Sequence, residues 1–281
     1  MAPLAQFHAY RQYEQMRRAV NDSVMGLFAG AGLASLLLHP MTQAPAPLSM
    51  IFPRIEEISR FDLSIEKARA ILDDAGPHIG NMALPYLLSL HEDYMRSCLE
   101  LLVKDGLITP KSASKAPVSK IHEEFGVAVG TPLPQDSLQQ FHVLREMRNC
   151  LIHMGGVIDD RLVAAVAACS HGALAGWTNV TKSSPRAFKK GDPLKIGAGE
   201  LALGFAVSKL LARTVNEFLV SGLTRPTWID VILEDMASHG PGIPANVDER
   251  LRKALGYARF NYIWIGATPI ELQDGLTRMG Y

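Results

Sequence analysis

Apolar residues recur at helical spacing along most of this chain, and nowhere in a sustained strand-like alternation. From about Leu84 to Asp105, the residues Leu87, Leu88, Leu90, Tyr94, Met95, Cys98, Leu99, Leu101 and Leu102 make one broad apolar face. Pro85 suits the first turn of that helix and Gly106 the position just past its end. A second helix starts with Asp136 or Ser137 as cap and stops at Gly155-Gly156. A third covers Glu200 to Leu219 and is ended by Gly222. Shorter patterns occupy Ser64 to Asp74, stopped by Gly76-Pro77, and Asp160 to Cys169. The expected class is all-α, an up-and-down helical bundle with helical extensions at both ends.

The flanks read differently. Met1 to about Asp22 is polar and helical in pattern, and Val24 to Leu38 follows as 15 mostly apolar residues. Arg17-Arg18 before this run and Ala44-Pro45-Ala46 after it give it some likeness to an export signal. Against that, Asp22 interrupts the approach and Pro47 sits just past the would-be cleavage point. The run is also short of the roughly 20 residues a membrane span needs. Gly26 and Gly30 form a small-xxx-small pair suited to close helix contact. The run is expected to be buried or covered by a partner, with export or membrane anchoring as the other reading. The proline-rich stretch Pro40 to Pro53 cannot continue a helix. Residues 224–281 carry two helical patterns, around Trp228 to Met236 and Asp248 to Trp264. The expected organisation is a helical extension with a Pro-rich linker over 1–59, a helical bundle over 60–223 and a small helical unit over 224–281.

Composition narrows the chemistry. The chain has 281 residues, 48% hydrophobic and 20% charged, which is enough apolar material for a substantial core. Basic and acidic residues balance at 28 each, so any polyanion site must be a local patch. One such patch is the loop from Asn179 to Gly199, where Lys182, Arg186, Lys189, Lys190 and Lys195 face a single acidic residue, Asp192. The three cysteines follow no disulfide or metal spacing and read as reduced thiols of a cytoplasmic protein. No phosphate-binding loop, nucleophile elbow or zinc-protease motif occurs. Cys169-x-His171 is at most half a metal site, so no metal and no cofactor is expected. His91-Glu92-Asp93 and His122-Glu123-Glu124 read as solvated faces. Trp228, Trp264 and the Tyr257-Phe260-Tyr262 cluster read as accessory core.

The densest chemistry lies in Arg145-Glu-Met-Arg-Asn-Cys-Leu-Ile-His153. At about 100° per residue from Arg148, the residues Val143, Leu144, Met147, Cys150, Leu151 and Met154 fall between about 200° and 320°, a core face. Arg145, Arg148, Asn149, His153 and also His142 fall on the opposite arc. Phe141 and Ile152 share that polar arc, which suggests that something covers it. Arg148 and His153 are about 7.5 Å apart along the axis at 1.5 Å per residue, too far for an i, i+4 pair. Two such helices meeting about a twofold axis would gather these groups more easily.

Arg148-Asn149, three residues, His153 and then Gly155-Gly156 resembles the HEPN family, the helical ribonucleases of prokaryotic defence and toxin systems with an R-x4-6-H motif. The likeness covers about residues 60 to 222 and includes an upstream long helix containing His-Glu-Asp-Tyr. It implies metal-independent RNA cleavage by ribose 2′-OH attack. Arg148 would stabilise phosphoryl charge, His153 would move the proton, Asn149 would orient a group and Arg145 would add positive potential. It further implies an RNA substrate, whose flanking phosphates Lys182, Arg186, Lys189, Lys190 and Lys195 would hold; the other reading of that loop is a solvated linker. A homodimer and an antitoxin or defence partner also follow, and from the shortness of the 24–38 run no stable membrane association is expected. The family contains catalytically silent members, so a non-catalytic interaction or nucleotide-binding module is the alternative.

Overall fold

In a computed structural model the described residues are 3–41, 46–55, 58, 60 and 63–281. Among them the chain is all-helical, with twelve α-helices and no strand. Two isolated bridges occur, Pro47 with Ser64 and Val157 with Pro193. Ala44 and Pro45, at the leader-like stretch, lie outside the described residues. The helices are α1 (His8–Leu38), α2 (Ile65–Asp73), α3 (Ala75–Lys104), α4 (Pro110–Lys115), α5 (Ile121–Ala128) and α6 (Gln135–His153). They continue as α7 (Asp160–Ala167), α8 (His171–Thr181), α9 (Ala198–Gly222), α10 (Arg225–His239), α11 (Val247–Asn261) and α12 (Pro269–Arg278). Contacts divide the chain into two compact units, one of residues 1–17, 88–142 and 206–281, the other of 18–87 and 143–205.

The first unit is built around aromatic rings. Phe7 packs on Tyr94 and on Trp228 with centroids 6.2 Å apart in each case, and Trp228 meets Tyr262 at 6.1 Å. All four rings are buried. The stretch before α1 is tied down by Asn216 of α9, whose side chain accepts from the Ala5 amide at 2.9 Å and donates to its carbonyl at 2.8 Å. This satisfies one otherwise lost donor and one acceptor in a buried place. Helices α10, α11 and α12 pack on one another. The third of these was not expected from the apolar pattern, yet Thr268-Pro269-Ile270-Glu271 is a capping box with proline in the first turn.

Within this unit His91 and His122 are not on solvated faces as expected. Both are buried, and their Nε2 atoms lie 2.9 Å apart. His91 follows Leu87 and precedes Met95 at four-residue steps, which puts it on the apolar side of α3. His122 lies beside Phe141, which is itself covered at 1% exposure.

In the second unit Leu38, Leu48, Ile65 and Ala68 form a local core. The apolar run of α1 ends in that core, but most of it is not buried. Met25, Leu27, Leu33, Leu36 and Leu37 are 61, 55, 64, 71 and 60% exposed, and nothing lies within 4 Å of a Cβ placed on Gly26 or Gly30. By length and composition α1 meets the requirement of a membrane span, as some core helices and leader segments also do. Gly76-Pro77 opens α3 where a stop was expected, because a proline in the first helical turn gives up no hydrogen bond. Pro85 then lies inside α3. Its flanking Leu84, Leu87 and Leu88 are fully buried, and that packing holds the helix through it.

Candidate functional site

The motif residues 143–153 belong to the second unit. Val143, Leu144, Met147 and Cys150 are fully buried, as their shared face predicts. Leu151 is half-buried, and Met154 is exposed because the helix has ended at His153. The amides of Met154 and Gly156 both donate to the Cys150 carbonyl, at 3.2 and 3.0 Å. Gly155 and Gly156 follow with φ of 62° and 80°, the left-handed region that glycine enters at little cost. This turn leaves His153 exposed at the carboxyl end of α6.

Arg148 and Asn149 are half-buried on the opposite side from the core face. Glu146 organises two of the predicted residues. It accepts from Arg145 Nη2 at 3.2 Å and from Asn149 Nδ2 at 3.1 Å. Its three-residue spacing to Asn149 was the signal for this contact. Arg145 and Asn149 are thus brought together through a carboxylate, and the Asn149 amide is turned to Glu146. Cys150 donates to Asp159 Oδ1 at 3.6 Å, and burial pushes its thiol pKa up. Asp159 also caps α7 through the Leu162 amide and pairs with Arg161 at 2.8 Å, contacts that hold its carboxyl below the usual range.

The basic loop is fastened to the turn after the motif. Leu194 donates to the Gly156 carbonyl at 2.7 Å, Ile158 to the Asp192 carbonyl at 3.0 Å, and Gly191 to the Ile158 carbonyl at 3.0 Å. Leu194 and Ile196 are buried beneath it. A Cβ on Gly80 of α3 would lie 2.0 Å from the Ile196 carbonyl oxygen, so only glycine allows this approach. Lys182, Arg186, Lys189, Lys190 and Lys195 are all exposed. Lys190 pairs with Asp160 at 2.5 Å, Lys195 with Asp74 at 3.2 Å and Arg186 with Glu200 at 3.9 Å. Lys190 and Lys195 pair with exposed carboxylates, and water and salt screen such pairs, so a phosphate can displace the carboxylate; Glu200 is itself buried. Lys182 and Lys189 have no acidic partner among the described residues.

The first unit holds other titratable groups that sequence spacing did not reveal. His142, placed on the polar arc, pairs with Glu123 at 3.0 Å, and this bond lowers the Glu123 pKa. His8, Asp235 and His239 offer ligand atoms that all lie within 4.8 Å of one another. Asp235 and His239 are one turn apart on α10, but His8 is more than two hundred residues away in sequence, so no local motif announces the group. Burial raises the Asp235 pKa, yet hydrogen bonds from Arg11 and Tyr262 outweigh it and hold the carboxyl below its usual range. Cys169 and His171 belong to no such group among the described residues. Trp228 and Tyr262 are core, as expected, whereas Phe260 and Trp264 are 85 and 49% exposed.

No family model matches the chain, and no curated protein or solved structure matches it either.

Proposed function

We propose that this chain is a metal-independent endoribonuclease of the HEPN type, working as a homodimer. One observation carries the reading: the exposed His153 ends on a turn to which a loop of five exposed cations is hydrogen-bonded. Phosphates flanking a scissile bond at His153 would lie along Lys182, Arg186, Lys189, Lys190 and Lys195, and such binding weakens with salt. In the reaction the ribose 2′-oxygen bonds to the adjacent phosphorus as its proton passes to a base. The bond from phosphorus to the 5′-oxygen breaks, and that oxygen takes a proton from an acid. An imidazole performs either transfer near neutral pH, and a guanidinium stabilises the charge on the non-bridging oxygens. His153 and Arg148 fill these roles, and each of two chains supplies one set. Exposed Ile152, Met154 and Val157 around His153 are the apolar surface a second copy would cover.

A defence or toxin setting, a neutralising partner protein and a cytoplasmic location belong to the same reading. The exposed apolar side of α1 is assigned to a protein partner and not to lipid, which detergent-free solubility of the full chain tests. The experiment on the site is RNA cleavage in EDTA by the wild-type chain and by His153→Ala and Arg148→Ala. Each variant should lose about 10²-fold or more in rate with its helical circular dichroism intact. Equal cleavage by all three overturns the assignment.

The grip of Glu146 on Arg145 and Asn149 favours a second reading, a non-catalytic module whose polar face binds a protein or nucleotide. On that reading RNA is not turned over between pH 5 and 8, and the same substitutions alter binding alone.

A further inference from the structure

The first unit holds a cluster of a different chemistry. Asp235 and His239 project from the same side of α10 at i, i+4 spacing, the spacing with which two side chains of one helix reach a common ion. His8, the first residue of α1, faces them. Its ring stacks on that of His239 with centroids 3.5 Å apart and planes 17° apart, and His239 Nδ1 is 3.6 Å from Asp235 Oδ1.

The carboxylate is fixed from behind. Asp235 is 4% exposed; Arg11 grips both its oxygens, at 2.8 and 2.9 Å, and the Tyr262 hydroxyl donates to Oδ2 at 2.5 Å. These are the outer contacts that orient a ligating carboxylate. Oδ1, which also accepts from Arg11, is the oxygen on the His239 side. The cluster opens into a cavity of about 490 Å³ whose wall also carries Ser97, Glu100, Glu234 and Ser238.

We propose that His8, Asp235 and His239 bind a divalent transition-metal ion, with the fourth position open to this cavity. Two imidazoles and one carboxylate are a donor set for zinc, cobalt or nickel, whereas magnesium and calcium prefer oxygen alone. Three protein donors with an open fourth place are the arrangement that keeps a water or a small ligand on the metal. Arg11 offsets the carboxylate charge, and Glu100 adds a negative group on the cavity wall. The site shares no residue with the proposed RNA-cleaving motif, and the two readings stand or fall separately.

The test uses the full chain without a polyhistidine tag, stripped with chelator and dialysed, then titrated with cobalt(II) chloride and zinc chloride. One cobalt ion per chain should bind, visible-absorption bands should show imidazole coordination, and zinc should compete for the same site. His239→Ala and His8→Ala should each weaken binding at least tenfold without loss of helical signal. Tyr262→Phe, which removes only the hydroxyl behind the carboxylate, should weaken it about 10-fold. Absence of stoichiometric binding, or unchanged binding in the His8→Ala/His239→Ala double variant, overturns the proposal. Cleavage in EDTA does not bear on it.

Discussion

Replacing His91 by glutamine should flatten the acid side of the stability curve. His91 is fully buried in the first unit, where burial lowers its pKa to about 3. Its Nε2 lies 2.9 Å from that of His122, so one imidazole donates and the other accepts, and His91 itself stays neutral. The Tyr13, Tyr94 and Phe141 rings close the site, and among the described residues no carboxylate is bonded to His91 to offset a charge. In the unfolded chain the group titrates near pH 6.5. Between about pH 6.5 and 3 the unfolded state therefore binds one more proton, and stability falls as pH falls. The loss approaches about 1.4 kcal/mol per pH unit, or about 2 kcal/mol by pH 5. Above pH 6.5 this contribution is fully present. Glutamine can still donate to His122 but carries no proton equilibrium in this range. Urea unfolding from pH 7.5 to 4.5, followed by circular dichroism, should show the variant less stable at pH 7 by about 1–3 kcal/mol. Its slope against pH below 6.5 should be shallower by close to one proton. An unchanged slope would refute the reasoning, since His91 would then take up its proton without cost.

Asn216→Ala removes both bonds to Ala5 and leaves a buried amide and carbonyl unpaired; chemical denaturation should show a loss of about 2–4 kcal/mol. Gly80→Ala puts a methyl group against the Ile196 carbonyl, and it should both lower the melting temperature and weaken RNA binding in a filter assay by loosening the basic loop. Glu271 has its carboxyl held down to about 2, first by Arg225 and then by the Thr268 amide. Its stabilisation is present above about pH 4.5 and is lost as pH falls toward 2. Because the pair is partly exposed, Glu271→Gln should cost only about 1 kcal/mol at pH 7, and the difference should vanish in acid denaturation curves near pH 2.

Much of the helical framework was legible because strong amphipathic faces and glycine stops coincide, as in α6 with its end at Gly155-Gly156. Boundaries failed where proline has two meanings. Gly76-Pro77 reads as a stop but serves as a first turn, and Pro85 reads as a start but lies in the interior, held by buried leucines on both sides. The division into two units was not legible, since each gathers stretches far apart in sequence. Spacing along one helix separated the core face of α6 from the arc of Arg145, Arg148, Asn149 and His153. It could not show that residues 191–194 return to the turn beyond His153, because that contact crosses some 35 residues of chain and rests on backbone hydrogen bonds. The buried histidine pair and the His8, Asp235 and His239 cluster were invisible for the same reason. Each joins helices whose proximity only folding decides.

The most direct test of the central claim is cleavage in EDTA of an RNA oligonucleotide beside the same sequence carrying 2′-deoxyribose at every position. The wild-type chain should cut the RNA, leave 2′,3′-cyclic phosphate and 5′-hydroxyl ends, and spare the deoxy strand, while His153→Ala cuts neither. An RNA left intact, or both strands cut alike, would contradict the account.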